Sequence, residues 1–151
     1  MKEQFTLLTA TRANILKEME ACTPAQLCSI PKGFNNNILW NAIHVIVTPQ
    51  VLLYMKSNTA CKIDTGIIES YRKGTIPSEE INYQMIEFAK NQLIPSVSQI
   101  EQDYSQQIFG DYETFQTSYG VILNTIEDAI RFNNLHESMH YGQIKMLKRL
   151  V

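Results

Sequence analysis

The stretch "LHESMHYGQIK", residues 135–145, carries two readings at once. His136-Glu137-Ser138-Met139-His140 has the H-E-x-x-H form of zinc proteases, in which two histidines hold the ion and the glutamate activates water. Residues four apart on a helix share a face, about 6 Å apart along the axis, so both rings can reach one ion. The same residues also fall on a helical stripe: Ile126, Ala129, Asn133, His136, His140, Ile144 and Leu147. That stripe is apolar at both ends and polar in its middle. It predicts a long helix running from an Asn124 cap, with Glu127 three residues on, almost to Val151.

Three more helices come from the same periodicity. Residues 2–21 place Phe5, Leu8, Ile15 and Met19 on one face, and end before Thr23-Pro24-Ala25-Gln26, a capping-box pattern that predicts a short helical turn. Residues 36–56 carry the seam Trp40, His44, Val47, Val51 and Tyr54, with Pro49 inside as the expected bend. Residues 78–108 carry Ile81, Met85, Phe88, Leu93, Val97, Ile100 and Tyr104, and the phase breaks just before Pro95, where a kink is expected. No segment shows strand alternation. Four amphipathic helices without a sheet predict an all-α four-helix bundle forming one domain over residues 1–151. The connection of about 20 residues between the second and third helices is long for antiparallel neighbours and predicts a crossover.

Composition narrows the function. The formal net charge is −2 and basic residues are scattered, so nothing matches the positive face that nucleic acid requires. Three cysteines without a C-x-x-C pair argue against a disulfide framework. The first residues lack the apolar run of a signal peptide, and no stretch reads as a membrane span of about 20 apolar residues. A reduced, cytoplasmic protein without a membrane partner is the expectation.

The protease reading fails on its third ligand. The eleven residues after His140 contain no His, Asp, Glu or Cys, and Gln143 and Met146 stand where the longer motif needs Gly and His. The chain's one remaining histidine, His44, lies on the core seam of the second helix. Facing helices of a bundle supply metal ligands in this way, so His44, His136 and His140 form the candidate metal site. A lone core-facing histidine is more often hydrogen-bonded packing than a ligand. All three histidines of the chain on two seams are harder to assign to packing.

"NNILWNAIH" around Trp40 and His44, "SYRKGTIPSEEI", and "HESMHYGQI" from His136 to Ile144 resemble the DinB-like superfamily of metal-binding four-helix proteins across essentially the whole chain. The resemblance implies a rearranged helix order, a triad of His44, His136 and His140, and a homodimer. It also implies a range of chemistry: thiol-dependent S-transferases, a thiol-dependent isomerase, and metal-dependent hydrolases.

Three imidazoles and no carboxylate suit zinc or nickel and leave a coordination position open, the catalytic pattern. Thiol transfer to a small electrophile, using a low-molecular-weight thiol, is the first expectation. A hydrolase with Glu137 as base is the second, although Glu137 reads equally well as a solvated surface residue. A non-catalytic metal-binding stress protein is the third. Asn37, Asn41, Asn133 and Gln143 lie near the ligands and are candidates to orient them or to contact substrate. Gly142 is expected to let a neighbouring helix approach closely.

Overall fold

The computed structural model describes all 151 residues. Seven helices and one minimal hairpin replace the four expected helices. They run α1 (Lys2–Glu20), α2 (Pro24–Cys28), α3 (Ile38–Pro49), α4 (Thr65–Tyr71), α5 (Tyr83–Gln92), α6 (Pro95–Ser105), β1 (Phe115–Gln116), β2 (Ile122–Leu123) and α7 (Ile126–Leu147). The bundle itself is still four-sided, because α5 and α6 are the two halves of the third rod.

The corrections have local causes. Around α2, Thr23 and Gln26 form the expected reciprocal box. Helix α7 is capped by Thr125, one residue later than expected: Thr125 is extended and its Oγ1 accepts from the Asp128 N–H at 3.1 Å. Helix α5 starts at Tyr83 because the Asn82 side chain accepts from the Met85 N–H, so Ile81 falls outside the helix and is 44% exposed. The connection between α3 and α5 contains α4, which starts where Asp64 caps the Gly66 and Ile67 N–H groups. The hairpin pairs Phe115 with Leu123 and Gln116 with Ile122 in the link to α7, too short to show as alternation.

Both proline bends are present. After Pro49 the backbone widens into a π-helical stretch, Gln50–Tyr54, then closes through a 3₁₀ turn, Met55–Ser57. The whole segment Ile38–Ser57 is long and apolar enough to cross a membrane, contrary to the sequence reading. It is the central core helix instead: in α3 every residue but Thr48 is buried, so this helix is buried all round rather than along one stripe. Helix α1 packs mainly on α7 and equally lightly on α3 and α6, whereas α3 packs mainly on α7 and α5. The first two long rods thus meet only lightly, which is the rearranged order expected of the fold.

The core has two apolar halves. One gathers Ile15, Met19, most of α3, Leu93, Ile144 and Leu147; the other gathers Phe5, Leu8, Leu52–Tyr54, Val97, Ile100, Ala129 and Ile130. Between Leu8 and Ile15 on α1 stands Arg12, fully buried. Its guanidinium makes a two-point ion pair with Glu137, Nε to Oε2 at 2.9 Å and Nη2 to Oε1 at 2.7 Å. Nη2 also donates to the Val45 carbonyl at 2.8 Å, and Nη1 donates to the Leu93 carbonyl and to Ser96 Oγ. All five N–H directions of the guanidinium are used. A polar layer therefore crosses the bundle at the level where α7 turns from apolar to polar.

Candidate metal centre

Two rods bring the three histidines together. His44 projects from the middle of α3, and His136 and His140 project from successive turns of α7. Each offers a ring nitrogen, and these atoms lie within 4.8 Å of one another. His136 Nε2 and His140 Nε2 are 3.1 Å apart. Two nitrogens bound to one tetrahedral zinc at about 2.05 Å stand about 3.3 Å apart. The ring centroids of His44 lie 5.1 Å from His136 and 4.7 Å from His140, so the three rings enclose a common point.

The surrounding hydrogen bonds fix which nitrogen faces that point. His44 Nδ1 lies 2.7 Å from the Tyr71 carbonyl, which can only accept, so Nδ1 carries the proton and Nε2 keeps its lone pair. His140 Nδ1 lies 2.7 Å from Asn41 Oδ1. The Asn41 amide is oriented by its own Nδ2, which donates to the Asn37 carbonyl and to Asn36 Oδ1, so His140 too is protonated at Nδ1. With the His140 lone pair turned inward, His136 Nε2 must present either a proton or a shared cation to it. If a cation is shared, the His136 proton sits on Nδ1, and that atom is buried with no protein partner. The donor set thus suits a divalent ion held by three neutral rings.

Electrostatics agree. Burial is the main cause that lowers all three imidazoles from their ordinary value, and repulsion from the other rings adds to it for His136, which falls to about 3, and for His140, which falls to about 2. For His44 the bond to the Tyr71 carbonyl opposes the effect of burial. Rings that resist protonation remain available as ligands at neutral pH. Trp40, the chain's single tryptophan, stacks on His44 at 4.4 Å between centroids and is pinned by its own Nε1–H to Thr75 Oγ1.

The neighbours divide. Asn41 bonds a ligand directly, as described. Asn37 caps α3, its Oδ1 accepting from the Trp40 N–H and its Nδ2 donating to the Cys28 carbonyl, so it builds the helix start and touches no imidazole. Asn133 is fully buried and donates to Glu137 Oε1 at 2.8 Å. Gln143 is half-buried and takes no part in the bonds that hold the rings. Glu137 is the main correction: it is neither a solvated glutamate nor a free base, because it is fully buried and both oxygens accept from Arg12. Gly142 is exposed, and a Cβ there would meet nothing within 4 Å, so no helix approaches it. Sequence reasoning missed Arg12 and the Tyr71 carbonyl. The first was visible as a charge on the α1 seam; the second had no signal, since any residue supplies a carbonyl.

A cleft of about 470 Å³ opens on the other side of Trp40, lined by Tyr71, Ile76, Ile81, Tyr83 and the start of α3. It does not include the histidines. No curated protein matches the chain. The family description that matches it is the DinB superfamily, over residues 7–144, a span that includes both ligand-bearing helices. With that match, this fold and a buried three-histidine cluster, the chain belongs to the DinB superfamily.

Proposed function

We propose that this protein is a metal-dependent enzyme that transfers a low-molecular-weight thiol to a small electrophile, with His44, His136 and His140 holding zinc or nickel. The observation that carries the reading is the convergence of ring nitrogens from three histidines with no carboxylate among them. A divalent ion held by His44, His136 and His140 would keep its full charge and would favour the thiolate form of a bound thiol, whose proton would pass to solvent. The chain's part is to hold that position dry and oriented. Asn41 and the Tyr71 carbonyl lock two rings in the ligating tautomer, and Trp40 closes the face of His44. Thiol transfer needs no protein base once the sulfur is ionised, which fits a site where Glu137, next to His136 in sequence, is already paired with Arg12.

That last point weighs against the hydrolytic reading, which relied on Glu137. A carboxylate with both oxygens bonded to a guanidinium and no solvent contact cannot take a proton from water without breaking a buried ion pair. A non-catalytic metal-binding stress protein is the remaining alternative. The proposal extends to a cytoplasmic homodimer, in keeping with three free cysteines and with the assembly that the resemblance implies.

The test is conjugation of monochlorobimane by zinc- or nickel-loaded protein. Turnover is expected only with added thiol, and His140→Ala is expected to abolish it together with metal uptake. Ester turnover without thiol supports the hydrolase instead. One bound metal per chain without turnover of either kind supports the binding protein.

A further inference from the structure

Arg12 touches the two ligand-bearing helices at the residues that follow the ligands. On α3 it donates to the carbonyl of Val45, next to His44; on α7 it grips the carboxylate of Glu137, next to His136. The contact to α3 replaces a missing bond. Pro49 has no N–H to give to the Val45 carbonyl four residues earlier, and Arg12 Nη2 takes that role at 2.8 Å. The contact to the third rod does the same: at the Pro95 kink the Val97 N–H bonds Ile94 rather than Leu93, and Arg12 Nη1 donates to Leu93. One guanidinium thus serves both proline bends and α7 at a single point.

The network also leads back to the third ligand. Asn133 gives its Nδ2 to Glu137, which turns its Oδ1 away as an acceptor. That Oδ1 is buried and unpartnered, and so is Nδ1 of His136, three residues further along the same face. His136 is the one ring of the three without a direct protein bond at Nδ1.

We propose that Arg12 is a positioning residue of the metal centre. By bonding the residues adjacent to His44 and His136, it sets the separation at which α3 and α7 present their imidazoles. The inference rests on the metal-binding reading above. Its ordinary competitor is that Arg12 only holds the bundle together.

The experiment measures zinc affinity of the folded full-length protein by competition with a chromophoric chelator, with Trp40 emission as a second reporter because that ring stacks on His44. Arg12→Lys keeps one positive charge but not the five-donor fork, and Glu137→Gln keeps the shape but not the ion pair. Both are expected to weaken zinc binding about ten- to hundred-fold, the usual effect of losing support behind a ligand. Tyr54→Phe removes a buried bond to Asp103 Oδ2 that involves neither Arg12 nor a histidine, and is expected to lower thermal stability but leave zinc affinity unchanged. Wild-type affinity in folded Arg12→Lys and Glu137→Gln, or an equal loss in Tyr54→Phe, overturns the proposal. Should neither variant fold, the wild type decides: zinc is expected to slow hydrogen exchange of the Arg12 Nε–H at least about tenfold by reciprocity, and an unchanged rate overturns the proposal. A wild type that takes up no zinc defeats the metal reading itself, an outcome separate from all of these.

Discussion

Two polar clusters lie side by side in the core of this bundle, and they are built on opposite plans. The Arg12 cluster is closed: one guanidinium, one carboxylate, and acceptors on every donor, with no net charge. The histidine cluster is open: three rings bring a nitrogen each to a common point, and one of them leaves a buried nitrogen unpartnered. Burial of a charge is tolerated where the charge is matched within the protein. Three converging imidazoles in the core make sense where a cation arrives from outside. The contrast separates a cluster satisfied within the protein from one suited to a cation.

Breaking the closed cluster should have the larger effect. Glu137→Ala strands a buried guanidinium, and the expected loss is about 3–5 kcal/mol in urea unfolding of chelator-treated protein. His140→Leu in the same metal-free state removes a neutral ring and leaves Asn41 Oδ1 without its donor, so a smaller loss of about 1–3 kcal/mol is expected. Comparable losses for the two variants would mean that the histidines are structural and the contrast is false.

Acid should act on the open cluster. The folded imidazoles lie below their unfolded value of about 6.5, His136 at about 3 and His140 at about 2, chiefly through burial. Between those limits the unfolded chain binds more protons than the native one, so stability rises with pH. The contribution is complete above about pH 6.5 and declines as pH falls through the window down to about 3. Metal-free protein is therefore expected to melt at a lower temperature at pH 5.0 than at pH 7.5 in calorimetry. His136→Leu should reduce the difference. A profile unaffected by that substitution would count against burial of neutral rings.

How much of this was legible in the sequence depends on the kind of signal. The rods and the triad were legible because both rest on helical spacing at about 100° per residue. On that wheel Arg12 falls in the middle of the stripe made by Phe5, Leu8, Ile15 and Met19, and Glu137 falls close to Asn133 and Ile144 on the buried side of α7. Their partnership could have been suspected, but two charges of opposite sign on separate helices carry no spacing rule that joins them. The Thr125 cap differs from the expected Asn124 by one residue, because both can cap and only the backbone angle decides. Helix α4 has too few turns to show a period. Helix α3, buried on every side, shows a stripe in sequence because a seam can always be drawn through a largely apolar run.

Gly142 gives the smallest and cleanest probe of the contrast. It lies two residues, about 200°, round the helix from His140, so it shares α7 with both clusters and touches neither. An exposed glycine inside a helix costs about 0.5–1 kcal/mol relative to alanine, and the added Cβ meets nothing within 4 Å. Gly142→Ala is expected to stabilise the protein by that amount in urea unfolding and to leave zinc affinity unchanged. Metal binding would then depend on how the buried face of α7 is held, not on how readily the helix forms. If stiffening the exposed face raised zinc affinity as well, α7 would be partly frayed in the metal-free protein, and the open cluster would be less preorganised than its hydrogen bonds suggest.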